Sequence, residues 1–155
     1  MTKKADFDAE EWQTVVEAPL LAGLRVVAAD RGGTIRESVA IGRVYADARQ
    51  RHGESELLDD LVASPPGMDQ ERVRAAGDVR AASQASIRSA LGILESKATT
   101  DEVETYKRFL VAVARAAAEA HKEGGFAGIG GKQVSEAEET ALDEIAATLD
   151  AGPGA

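Results

Sequence analysis

The chain has 155 residues, of which 44% are hydrophobic, 29% charged and 4% aromatic, with no cysteine. It can bury about two-thirds of its unfolded surface as one domain, with a core of Leu, Val, Ile and Ala in place of aromatic rings. A formal net charge of -9 sets a field against general affinity for nucleic acid or an anionic membrane, and the lack of cysteine removes disulfides, thiolate metal sites and cysteine nucleophiles.

The segment "MTKKADFDAEEW" has two lysines but no apolar stretch behind them. That is not a secretory signal pattern, and the expected compartment is the cytoplasm. Within the same segment the first helix start is marked. Asp8 can cap, Glu11 three residues on closes a capping box, and Phe7 and Trp12 have the spacing of a hydrophobic staple. The apolar run from Val15 to Ala29 is short of the ~20 residues a membrane span needs and carries Glu17 and Arg25, so it reads as a central helix that is apolar on most faces. Pro19 inside it removes a backbone donor and predicts a kink or a break. "DRGG", Asp30 to Gly33, ends it.

A second helix is expected from about Thr34 to Arg51, with Ile35, Val39, Gly42 and Tyr45 or Ala46 recurring at near-helical spacing. A short helix follows in "ESELLDDLVA". The "SPPG" at 64–67 cannot continue it and marks a hinge over 64–68. A fourth helix, from about Asp69 to Lys97, carries a thin stripe of Val79, Ser83, Ile87, Leu91 and Leu94. "TTDE" at 99–102 is a further cap, and the helix after it places Tyr106, Phe109, Leu110, Val113, Ala117 and Ala120 on one side. The last helix starts at Ser135, boxed by Glu138, and presents Leu142, Ile145 and Leu149; the tail over 151–155 is expected to fray. No stretch alternates with period two. The predicted fold is an all-α single-domain bundle of five to six helices.

The glycine-rich "EGGFAGIGGKQ" lies directly ahead of a helix start and invites comparison with a phosphate loop. A Walker loop needs a preceding strand, a glycine five residues ahead of the Gly-Lys pair and a hydroxyl after the lysine. Here those places hold a helix, Phe126 and Gln133. A packed cover is the stronger reading, with Phe126 and Ile129 as apolar pins that fold back on the bundle or receive a partner. Other catalytic patterns are thin. His52 and His121 lie near helix C-termini and belong to no H-E-x-x-H or E-x-x-H pattern, and there is no G-x-S-x-G elbow. Acidic pairs such as Asp59 and Asp60 read as solvated faces, while Arg31, Arg36, Arg43, Arg49 and Arg51 make the second helix locally basic.

The first two helices and the last two show a weak internal similarity. Each pair has an aromatic near its start, an apolar helix, a glycine turn, a β-branched residue (Ile35, Val134) and an acidic residue (Glu37, Glu138) opening the next helix. Two related helical hairpins would produce this, and so would chance similarity between amphipathic helices.

The "E-W…AP…A…AAD" helix and the "EGGF-x-G-x-GG-x-x-VSE-x-E…L-x-EIA" end resemble a group of uncharacterised bacterial all-helical proteins over most of the chain. More loosely, Ala28, Asp30, Gly32, Ile35 and Glu37, and then Gly131, Val134 and Glu138, are similar to the helix-turn-helix pattern of TerB-like proteins linked with tellurite resistance and stress responses. Arg31 stands where that pattern has a glycine, and Ile35 and Glu37 are closer together than it requires. The resemblance implies a divalent metal ion held by Asp30, Glu37 and Glu138. The expectation from the whole sequence is a non-enzymatic helical protein that binds a protein partner, either another protein or a second copy of itself. It needs no cofactor, and the TerB-like resemblance implies a stress response as its setting. The alternative is the divalent-metal binder.

Overall fold

The structure, a computed structural model, describes residues 1–29, 35–65, 78–122 and 134–154. These residues form a short 3-10 turn at Lys4–Asp6 and six α-helices: α1 (Ala9–Val27), α2 (Ile35–Gln50), α3 (Glu56–Ala63), α4 (Val79–Lys97), α5 (Thr100–Lys122) and α6 (Glu136–Ala151). Among the described residues there is no strand. The expected all-α bundle is what forms.

α1 is the central element and packs chiefly against α4 and α5, with α6 also against it. Val15, Val16, Ala18, Leu20, Ala22, Leu24 and Val26 are all buried, so the helix is surrounded on most of its circumference, as its sequence demands. Each Val or Leu taken from water contributes roughly 1.5 to 3 kcal/mol. The start is fixed as expected. The Asp8 carboxylate accepts the backbone N–H groups of Glu10 and Glu11, both at 2.9 Å, and the Asp8 N–H donates to the Glu11 carboxylate at 2.9 Å. The Phe7 and Trp12 rings meet with centroids 5.5 Å apart, completing the staple. Arg25, a charge inside the apolar run, leaves the core by pairing at 3.0 Å with Glu144 of α6, which also binds Arg80 of α4.

Pro19 does not break α1, which is helical without interruption from Ala9 to Val27. Proline lacks the N–H that would serve the carbonyl of Val15, one turn earlier. The Tyr106 hydroxyl of α5 donates to that carbonyl at 2.7 Å in the buried interior. The usual cost of an interior proline is thereby offset by a side chain from another helix. Gly23 serves a different end. A Cβ there would lie 2.8 Å from Cδ1 of Ile41 and 3.2 Å from Cγ1 of Val113, so α1 meets α2 and α5 at a point that only glycine leaves open.

α5 buries Tyr106, Phe109, Leu110, Val113, Ala117 and Ala120, the predicted face. α4 buries Ser83, Ile87, Ala90, Leu91 and Leu94, again the predicted stripe apart from Val79, which is half-buried; the expected part of this helix before residue 78 lies outside the described residues. α6 begins with Ser135 as cap and Glu138 closing the box. In α2 the face is the expected one only at Tyr45, which is buried: Val39 is 52% exposed and Gly42 is exposed, while Glu37 and Ile41 are buried in their place. The inward row is an i, i+4 row that begins with a glutamate, so a search for apolar periodicity selects the neighbouring row. α3 ends at Ala63, where the double proline was expected to stop it; the rest of the proposed hinge, from residue 66, lies outside the described residues.

Candidate functional site

The residues singled out in the sequence fall in two groups. Asp30, Phe126 and Ile129 lie outside the described residues. Glu37 and Glu138 are described, and both are buried, at 3% and 2% exposure. Glu138 accepts the Ser135 N–H at 3.0 Å and its own N–H donates to the Ser135 hydroxyl at 3.2 Å, so its carboxylate completes a cap. The helices that carry the two glutamates share α5 as a neighbour; α2 packs also on α3, and α6 on α1 and α4. Among the described residues no group of three or more His, Asp or Glu side chains is placed to hold a metal ion.

A groove forms elsewhere, between α2, α3 and α5, with a volume of about 340 Å³. That lies at the small end of the range for ligand and side-chain pockets. Val44 and Ala48 of α2, Leu58 of α3, and Phe109 and Ala112 of α5 line it with apolar surface. It exists because α2 and α5 meet at large side chains higher up, where the Tyr45 and Phe109 rings pack edge to face with centroids 5.0 Å apart. Beside that pair each helix presents a small residue to the groove, Ala48 on α2 and Ala112 on α5.

The rim is charged and carries both signs: Asp47 and Arg51 from α2 and the turn after it, Glu54 from the same turn, Asp59 from α3 and Arg108 from α5. Gly53, with φ of 102°, makes the turn that returns the chain into α3, and its N–H donates to the Asp59 carboxylate at 2.9 Å. The same oxygen lies 3.0 Å from Nδ1 of the exposed His52. Arg108 donates to the Thr105 hydroxyl at 2.9 Å, which steadies it along the α5 wall.

No sequence signal assembled this groove. Asp59, His52 and Arg51 were visible as charges on separate segments, and on the opposite wall Phe109 was expected on the inward face of its helix, with Thr105, Arg108 and Ala112 given no role. Only a pairing of α2 with α5 in a known register could have joined them. Among the described residues no helix is long and apolar enough to cross a membrane, and Met1 and Val39 are the exposed large apolar side chains. A search against protein-family descriptions, curated proteins and solved structures finds nothing that matches this chain.

Proposed function

We propose that the protein acts through protein–protein interaction and that the α2/α3/α5 groove receives a segment of its partner. The observation that carries this reading is the groove itself: an apolar floor of Val44, Ala48, Leu58, Phe109 and Ala112 under an exposed rim of mixed charge. Apolar anchors within a polar rim are the usual anatomy of a docking surface. The occupant that fits is a partner segment with an apolar side chain for the floor and charges of both signs beside it. A stress response remains the setting suggested by the resemblance to TerB-like proteins.

The test places a photo-crosslinking amino acid at Ala112 in the groove and, separately, at the exposed Ala85 on α4. A specific adduct from Ala112 alone identifies the partner, and the purified pair should then bind at least tenfold more weakly when Ala112→Trp fills the groove. A second copy of the chain is detected in the same experiment by sedimentation. Binding untouched by Ala112→Trp would remove the groove from the function.

A second reading, a divalent metal ion held by Asp30, Glu37 and Glu138, is supported by the burial of both glutamates in the first turns of their helices. Oxygen ligands at ~2.3 to 2.6 Å suit calcium and ~2.0 to 2.1 Å magnesium. Elemental analysis of untagged protein, with a thermal shift on adding calcium, magnesium or manganese that is lost in Glu37→Gln, would support it.

A further inference from the structure

We propose that residues 1–7 form a strap that clamps two walls of the groove, α3 and α5, and that freeing the strap from Glu102 loosens α3 and changes the groove. The consequence for binding rests on the groove being the docking surface; the clamp itself does not.

The α5 end of the strap is buried. The Thr2 N–H donates to one oxygen of Glu102 at 2.7 Å, and the Thr2 hydroxyl lies 2.9 Å from the other. Thr2 is 5% exposed and Glu102 8%. That second oxygen also accepts the N–H and hydroxyl of Thr99, at 2.9 and 3.0 Å, so the carboxylate is at once the cap of α5 and the seat of the strap. The α3 end is made by the Lys4 N–H donating to Asp60 at 2.8 Å, with the Lys3 ammonium 3.6 Å from Glu56. Beyond Lys4, Lys97 of α4 reaches the Asp6 carbonyl at 3.0 Å and Glu11 at 2.6 Å, and sits 5.6 Å from the centre of the Phe7 ring.

The walls tied in this way are the ones the groove uses. α3 supplies Leu58 and Asp59, on the turns that also carry Glu56 and Asp60, and α5 supplies Thr105 and Arg108, the first of them one turn beyond Glu102. An eight-residue helix is too short to persist by itself in water, so the position of α3 depends on what holds it. The core takes Leu57, Leu61 and Val62, Arg49 of α2 donates to the Val62 carbonyl at 2.6 Å, and the strap fixes the remaining side. The strapped state presents Leu58 and Asp59 in register with α5. A partner that binds this state holds the strap down by the same coupling free energy that the strap gives to binding.

The test needs no partner. Because the chain has no cysteine, spin labels at Ala63→Cys and Arg115→Cys report the α3 to α5 distance alone, and labels at Arg43→Cys and Arg115→Cys report α2 to α5 as a control; all three positions are exposed. Glu102→Gln and Thr2→Ala should broaden the α3 to α5 distribution toward longer distances and lower amide protection in α3 by about tenfold or more. The α2 to α5 distribution should not change, and Thr2→Ser, which keeps both donors, should behave as wild type. Thr99→Ala, which weakens the cap but leaves the strap, should leave α3 in place. An unchanged α3 to α5 distribution in Glu102→Gln, or equal broadening of both pairs, would overturn the clamp. An intact clamp result with no adduct at Ala112 would instead remove the docking reading alone.

Discussion

Tyr106→Phe tests the account of how α1 tolerates Pro19. The substitution removes one oxygen from a fully buried side chain and leaves the ring packing as it was. It strands the Val15 carbonyl, which has lost its helical donor to Pro19 and accepts the Tyr106 hydroxyl at 2.7 Å. A buried acceptor left without a donor costs roughly 1 to 3 kcal/mol, which for a chain of this size lowers the melting temperature by about 2 to 12 °C. Pro19→Ala changes the reference, because an alanine at that position brings an N–H to the same carbonyl. In that background Tyr106→Phe removes only a second, optional donor and should cost less than about 1 kcal/mol. Urea unfolding of the four proteins, followed by circular dichroism and by Trp12 fluorescence to check two-state behaviour, gives the coupling without any assumption about the sign of Pro19→Ala alone. A cost for Tyr106→Phe that is equal in both backgrounds within about 0.5 kcal/mol, the limit of additivity for independent sites, would refute the argument.

Gly23→Ala gains about 0.5 to 1 kcal/mol of helix preference but overpacks against Ile41 at 2.8 Å and the stiff Val113 at 3.2 Å, a cost of roughly 1 to 3 kcal/mol. The expected net is a loss on the order of 1 kcal/mol by urea unfolding, recovered in part by Ile41→Val; a gain would mean the helices are not in close contact there. Ser83 is 1% exposed and its hydroxyl has no hydrogen-bond partner among the described residues, so Ser83→Ala should raise stability by up to about 1 kcal/mol, and a loss above about 0.5 kcal/mol would point to an interaction of that hydroxyl. Acid stability should report Glu102. Burial alone would raise its carboxyl, yet the donors of Thr2 and Thr99 outweigh that and hold it down from 4.5 to about 2. A depressed folded value stabilises above the unfolded one and is lost as pH falls, so the window is from about pH 4.5 down to 2. Glu102→Gln should flatten the fall of stability with pH across that window by up to about one proton, and parallel curves for wild type and variant would contradict the assignment.

What the sequence disclosed followed the range of the interactions concerned. The starts of α1 and α6 were legible because a cap and its box lie within four residues of one another, and the structure makes the same bonds. The buried faces of α4 and α5 were legible because a helix turned toward a core must repeat its apolar positions at 3.6 residues. Pro19 was misjudged as a possible break because the group that rescues it, the Tyr106 hydroxyl, is 91 residues from the carbonyl it serves. The α2 face was misjudged because Glu37 opens the buried row, and a glutamate counts against burial in any search by hydropathy. The groove was invisible for a further reason. It is a space lined by Ala48 of α2, Leu58 of α3 and Ala112 of α5, and no residue pattern within one helix encodes a gap between several.

The pattern of a hydroxyl or carboxylate followed three residues later by glutamate has one meaning in sequence and two in the fold. Asp8 with Glu11, Thr99 with Glu102 and Ser135 with Glu138 all form reciprocal bonds between cap and first turn. Glu11 stays half-open to water, whereas Glu102 and Glu138 are buried at 8% and 2% exposure. The cap geometry cannot produce that difference, because it is the same in each case. For Glu102 the cause is the strap: Thr2 supplies two more donors, and a carboxylate with four of them can leave water without losing its charge. Glu102 thus ties residue 2 to the start of α5 from within the core, while the half-open Glu11 ties the start of α1 to Lys97 of α4 at the surface. Removing the carboxylate of Glu102 should accordingly loosen residues of α3 that it never touches, and removing that of Glu11 should act on the start of α1 and its contact with Lys97 alone.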